Sequence, residues 1–314
     1  MNIKQKDSTL GVLIADAAAL GLHWLYDLER MHKVVAGGDP TFFTPNSEHY
    51  EGQVGYFAHE GKQAGEQSHY GESYLLNMRH LSEQGKFDTL KFQQDFIACF
   101  GPGGSFNGYI DKPTRATLDK LKLIDLNADV DANAQPSGAD DRQVPALTPV
   151  SALCASYSTD ELSDAVIENA IRVTNNNDLA VRCGLYFSKV LREVIKGHSI
   201  IESFATSNAP DEIKEKMSEA ISMKAVEIDS AAGVLGQTCD LKDTMPLSAY
   251  ILSHSDSFKE AVEMNVLAGG DSCGRAMMLG AIAGAFYGTG AEKGIPYNWL
   301  LRLKRQQEVA SLLV

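Results

Sequence analysis

Two side chains able to do chemistry stand two residues apart, Asp271 and Cys273, within Gly269-Gly270-Asp271-Ser272-Cys273-Gly274-Arg275. The glycine pair frees the backbone for a tight turn, and Asp271 and Ser272 can cap the helix that the period of Ala276 to Tyr287 predicts. In the first turn of such a helix the dipole and the free amides favour a thiolate, so Cys273 is a candidate nucleophile. Asp271 would raise the thiol pKa unless Arg275, four residues on and spaced to pair with it on one face, neutralises the carboxylate. Three other places carry chemical groups. Asp16 sits inside an apolar helix, where a carboxylate must be paired. Asp140-Asp141 reads as a helix cap or solvated turn, or else as a metal or acid/base site. Glycines between Gly101 and Arg115 could let phosphates reach backbone amides, but no strand precedes them and no G-K-S/T follows, which excludes a P-loop.

The elements that must position these groups are helical. Leu10, Leu13, Ile14, Ala17 and Leu20 recur at helical spacing behind a Ser8-Thr9 cap, predicting a first helix from about Thr9 to Tyr26. Gln67 to Ser73 leads into a helix that closes at Gly85. Further helices are expected at 88–100, around Thr117 to Leu123, and at about 160–173, 178–195, 199–206, 210–227, 244–254 and 257–267. The helix at Ala276 to Tyr287 mixes Gly280, Ala281, Ala283, Gly284 and Ala285 with Met277, Met278, Leu279 and Ile282, a pattern that admits close backbone approach in the interior. No stretch alternates as a strand does, so the fold class is all-α, one compact domain over 1–314. Irregular loops at about 37–71, 101–115 and 127–142 are left to surround a cleft.

Composition narrows the setting. In 314 residues, 28 Lys+Arg against 41 Asp+Glu leave a net charge of −13, which disfavours nucleic acid and anionic membranes as partners. The apolar runs are too short to cross a bilayer, and the start of the chain lacks the apolar segment of a leader. The 5 cysteines form no C-x-x-C pair, which fits reduced thiols and a cytoplasmic location. The oligomeric state is left open.

Gly269 to Ala276, Gly280 to Gly288 and Ile295-Pro296-Tyr297-Asn298-Trp299 together resemble the C-terminal signature of the ADP-ribosylglycohydrolase superfamily, which reads G-G-D-T-D-T-x-A, G-A-x-x-G-A-x-x-G and I-P-x-x-W. Scattered agreement extends from about residue 9 to 302. The resemblance implies hydrolysis of the glycosidic bond to ADP-ribose, with a small nucleotide or an ADP-ribosylated substrate as partner and two magnesium ions as cofactor. It places Ser68, His69, Tyr70 and Gly71 where the family's T-D-D-T supplies metal ligands, and Cys273 and Gly274 where two more belong. Most of the dimetal ligands are thus replaced, and the magnesium pair is expected to be absent or altered, with the Arg275 guanidinium standing in for part of its charge.

Three functions remain open on this reading. One is an ADP-ribosyl hydrolase. The second is a non-catalytic, crystallin-like binder of ADP-ribose or a related nucleotide. The third is a metal-independent hydrolase with Cys273 as nucleophile and His69 as base, because positions that share a metal site must lie close together. A zinc ion through His69, Cys273 and Asp271 is chemically permitted. Ligand-binding candidates are Ser68, Tyr70, Glu72, Ser272 and Arg275, with Tyr109 for ring stacking and Arg115 for phosphate.

Overall fold

The computed structural model describes residues 1–124 and 135–313. Sixteen α-helices occur among them. In chain order they are α1 (Ile3–Ala19), α2 (Leu28–Val35), α3 (His69–Gln84), α4 (Thr89–Phe100), α5 (Lys112–Leu121), α6 (Thr148–Ser156), α7 (Asp164–Thr174) and α8 (Asp178–Lys196). The second half adds α9 (Ile200–Thr206), α10 (Asp211–Ser222), α11 (Ile228–Leu235), α12 (Leu241–Ser253), α13 (Phe258–Leu267), α14 (Ser272–Tyr287), α15 (Tyr297–Leu300) and α16 (Gln306–Leu312). The described residues form only isolated β-bridges, such as Leu25 with Gly55, so the all-α expectation holds.

At the centre α1 and α14 run antiparallel in direct backbone contact. Gly11 meets Gly280 and Gly284, the Asp7 carbonyl meets Gly284, and the Asp16 carbonyl receives the Cys273 thiol at 3.6 Å. Without Cβ atoms the two backbones come closer than larger side chains allow, and dispersion contacts grow along the crossing. Every residue of α14 from Ser272 to Ala285 is buried, as its small-residue pattern predicts. The largest apolar cluster surrounds this pair and takes side chains from every described helix except α4 and α5. A smaller one gathers Phe92, Phe96, Phe100 and Leu118 on α4 and α5.

Several boundaries differ from expectation, each for a local reason. Helix α1 begins at Ile3, because Asn2 and Gln5 form a reciprocal capping box ahead of Ser8-Thr9. It stops at Ala19 and gives way to a 3-10 turn at Leu20–Leu22. Helix α5 begins at Lys112, where Asp111 caps it and Pro113 fills its first turn. The helix expected over 210–227 is α10 alone and ends at Ser222, while α2, α6, α11, α15 and α16 were not anticipated. The loop expected at 37–71 ends at Ser68, just before α3 begins, and is otherwise irregular apart from a 3-10 turn at Ser47–Tyr50. Residues 125–134 of the loop expected at 127–142 lie outside the described residues. Beyond them, Asp141 accepts the Gln143 amide at 2.8 Å and Asp140 accepts from the Asn177 side chain at 2.7 Å, so this carboxylate pair is a turn. No described helix is long and apolar enough to cross a membrane.

Candidate functional site

Three helices start at one place, each capped by a polar side chain. Ser68 caps α3, its Oγ accepting the Tyr70 and Gly71 amides at 3.1 and 3.4 Å. Asp111 caps α5, with Oδ1 accepting the Thr114 amide at 2.9 Å. Asp271 caps α14, with Oδ1 accepting the Gly274 amide at 3.2 Å. Each cap satisfies amides the helix cannot use, and Asp111 and Asp271 also place carboxylates at the positive end of a dipole.

Longer-range contacts join these caps. Ser68 donates to both oxygens of Asp16, through its amide at 2.8 Å and its hydroxyl at 2.5 Å. The Tyr70 hydroxyl donates to Asp271 Oδ2 at 3.4 Å. His69 Nε2 faces Asp111 Oδ2 at 3.3 Å, both side chains being buried. His23 accepts the Cys273 amide on Nδ1 at 3.2 Å and directs Nε2 towards Asp271 Oδ1 at 3.6 Å. His59 stacks near His23, ring centroids 5.2 Å apart.

Burial sets the protonation of these groups. It pushes the Asp16 and Asp271 carboxyls up to about 6; hydrogen bonds from Ser68 oppose this at Asp16, and the charges of Arg275 and His69 oppose it at Asp271. At Asp111 burial also pushes upward, but the His69 charge and bonds from His69 and Thr114 outweigh it and hold that carboxyl low. Burial lowers the His59 imidazole to about 3 and His23 well below its ordinary value.

Cys273 does not behave as the sequence suggested. Burial, then the charges of Asp16 and Asp271, pushes its thiol well above the ordinary value, and the S–H is directed to the Asp16 carbonyl. The first-turn dipole is overruled by desolvation, since a charged sulfur here would sit among carboxylates and apolar atoms. His69, expected as its base, is engaged with Asp111 instead. The expected Arg275–Asp271 ion pair is also not formed. The guanidinium donates to Asn265 Oδ1 at 2.8 Å, the Asn265 carbonyl at 2.9 Å and the Gly269 carbonyl at 2.5 Å, tying α14 to the end of α13. Ser272 is buried behind it, its carbonyl accepting from Asn265 at 2.9 Å.

Glu72 lies apart from the cluster. Arg79 donates to it at 2.9 Å and Arg305 donates as well, within a groove of about 660 Å³ whose lining includes none of Asp16, His69, Asp111 or Asp271. Tyr109 and Arg115 are neighbours. Tyr109 packs edge-on against Trp24 with centroids 5.3 Å apart and lies 5.3 Å from Tyr56, and the Arg115 guanidinium sits 5.4 Å from the Tyr109 ring.

Trp24, Tyr56 and Tyr109 form an aromatic rim above His69, whose ring centroid is 6.1 Å from those of both Trp24 and Tyr109. Trp24 holds a left-handed φ of 64°, an uncommon conformation for a bulky residue, and its buried indole N–H lacks a hydrogen-bond partner. The strain is held by the Gly269-Gly270 turn: the Trp24 amide donates to the Gly270 carbonyl at 2.7 Å, and the Gly270 amide donates to the Leu25 carbonyl at 2.8 Å. Among the residues not anticipated from sequence, only Asp111 carried a signal, the cap-then-proline pattern Asp111-Lys112-Pro113. His23 and Trp24 fall in the last turn of the helix expected to reach Tyr26, where the chain has already left α1, and His59 lies in a stretch without periodicity.

Comparison with known proteins gives one consistent answer. The family model for ADP-ribosylglycohydrolase matches residues 4–314. Crystallin J1A and crystallin J1B of Tripedalia cystophora are each 26% identical over 313 residues, covering 98% of this chain and 94% of theirs. A solved structure described as an ADP-ribosylglycohydrolase-related protein complex shares the fold with a TM-score of 0.72 at 17% identity, covering 99% of this chain and 95% of that one. With a family model spanning nearly the whole sequence and its signature helix at the centre of the fold, this chain belongs to the ADP-ribosylglycohydrolase family.

Proposed function

We propose that this family member binds ADP-ribose or a closely related nucleotide at the rim of Trp24, Tyr56 and Tyr109, without the family's paired-magnesium hydrolysis. The observation that carries this reading is the state of the carboxylates. Both oxygens of Asp16 are taken by Ser68, and those of Asp271 face Gly274 and Tyr70, so neither side chain is free to join a metal cage. Asp111 adds a single carboxylate that faces His69. Magnesium requires near-octahedral oxygen coordination, and a donor set of two engaged carboxylates, imidazoles and a thiol does not fit two such ions.

The rim supports binding. Rings offer stacking surface to a base, and Arg115, exposed beside Tyr109, offers charge to a diphosphate. Tyr56, 54% exposed, is free to swing away and admit the ligand. The relatives named crystallin agree with a protein kept for something other than turnover. The thiol hydrolase is not supported, since Cys273 is held protonated and His69 is occupied. Five free cysteines suit a reducing compartment such as the cytoplasm.

The test is calorimetric titration with ADP-ribose, with and without millimolar magnesium, beside an assay for release of ADP-ribose from a modified peptide. Binding should be indifferent to magnesium and weaken roughly tenfold or more in Tyr109→Ala, at the partly exposed ring beside Arg115, since stacking on one base is worth ~1–3 kcal/mol. Magnesium-dependent turnover would overturn the proposal, as would the absence of binding in the wild-type protein.

A further inference from the structure

We propose that His23, His59 and Cys273 form a binding site for one borderline-soft divalent transition ion, of which zinc is the chemical type, at the inner end of the cleft. One ligand atom from each of these side chains lies within 4.8 Å of the others, and all three residues are buried. Tetrahedral zinc with sulfur at ~2.3 Å and nitrogen at ~2.0–2.1 Å separates neighbouring ligand atoms by about 3.3–3.6 Å, so an inward shift of about an ångström closes the site. Thiolate and imidazole are the ligands zinc prefers, and magnesium disfavours both.

Buried nitrogen without a partner is the second, independent observation. Neither ring nitrogen of His59 has a hydrogen-bond partner, although the residue is 3% exposed. Leaving such groups unsatisfied is costly, and the great majority of buried polar atoms are paired. A ring with two unused nitrogens beside a thiol and a second histidine is arranged as a metal ligand would be. Asp271 supplies the outer support: with Nε2 turned towards its Oδ1 at 3.6 Å, His23 is oriented in the manner of a carboxylate-backed ligand, and Nδ1 exchanges its 3.2 Å contact with the Cys273 amide for the ion. On binding, the Cys273 S–H bond gives up its proton to solvent, the sulfur and two imidazole nitrogens each donate an electron pair, and no redox change occurs. Asp16 and Asp271 then balance the charge of the ion. The His69, Cys273 and Asp271 set considered from sequence is not the one assembled, because His69 faces Asp111.

This inference does not depend on nucleotide binding, and metal content is read separately from ADP-ribose affinity. The experiment uses the full chain stripped with chelator and then loaded with zinc or with cobalt(II) as a spectroscopic probe. About one equivalent of zinc should remain through gel filtration, and cobalt should give a near-ultraviolet thiolate charge-transfer band that zinc abolishes. Cys273→Ser should lose the band and His59→Gln should weaken affinity at least tenfold, while Cys239→Ser, at the one partly exposed thiol, keeps both. If Cys273→Ser fails to fold by circular dichroism, His59→Gln carries the test. Substoichiometric zinc in the wild-type protein, a band that survives Cys273→Ser, or one lost in Cys239→Ser would show adventitious binding and overturn the assignment.

Discussion

Gly280→Ala should destabilise the protein, whereas the same exchange at Gly233 should stabilise it. A Cβ on Gly280 would lie 2.5 Å from the Gly11 carbonyl oxygen and 2.9 Å from the Ala15 side chain, where ordinary contact begins at 3.4 Å. The antiparallel pair α1 and α14 must therefore part by about 0.9 Å, and the obstruction is backbone, which cannot rotate away. Overpacking of this kind costs ~1–3 kcal/mol, and its upper end applies to a backbone clash. Alanine returns about 1 kcal/mol of helix propensity, leaving a net loss of ~2 kcal/mol. For a chain of 314 residues that is a fall in Tm of ~3 °C by differential scanning calorimetry. Gly233 sits in α11 with open space around it, so alanine there should add ~0.5–1 kcal/mol. Asp16 and Cys273 lie further along the same crossing, so their 3.6 Å contact should lengthen in Gly280→Ala. A Tm for Gly280→Ala equal to or above wild type would refute the argument that the crossing is set by backbone approach.

Three further outcomes are expected. The Asp16 carboxyl, ordinarily at 3.8 and raised by burial to about 6 in the fold, favours the folded state below the ordinary value and loses that contribution as pH rises through 6. The difference corresponds to ~3 kcal/mol at most, so Asp16→Asn, which can still bond Ser68, should gain on wild type in denaturant melts between pH 4 and 7; a pH-independent difference would contradict this. Iodoacetamide should label the partly exposed Cys239 of metal-free protein before Cys273, and mass spectrometry finding Cys273 labelled first would restore it as a reactive thiol. Arg275→Lys leaves at least one of Asn265 Oδ1, the Asn265 carbonyl and the Gly269 carbonyl unmet, at ~1–3 kcal/mol. An unchanged Tm with lost nucleotide binding would instead make Arg275 a ligand contact.

The scaffold was legible because its rules are local. Small residues along Gly280 to Ala285 mark a helix that another backbone must approach, and Gly11 answers it on α1. Asp271 announces itself as a cap by standing before a periodic stretch, and the structure uses it as one; Ser68 caps α3 although sequence suggested only a ligand-binding place for it. The start of α1 was misplaced because Asn2 and Gln5 outbid Ser8-Thr9 for the same function, a competition between two valid local signals.

The chemistry of the site was not legible, because it depends on which distant side chains meet and how dry the meeting place is. Sequence placed Cys273 in a helix's first turn, and from that the dipole argues for a thiolate. Only the fold reveals that Asp16 and Asp271 crowd the sulfur in a buried setting, where desolvation exceeds the dipole. It likewise gives His69 to Asp111, gives Arg275 to the carbonyls of the α13–α14 turn, and brings His23 against Cys273 across 250 residues of chain. The sequence alone thus determined the all-helical scaffold, the burial of α14 and the Asp271 cap, since backbone sterics and amide satisfaction act within a few residues. Tertiary structure decided partners and protonation, since desolvation and ion pairing are set by whatever the folded chain places alongside each group.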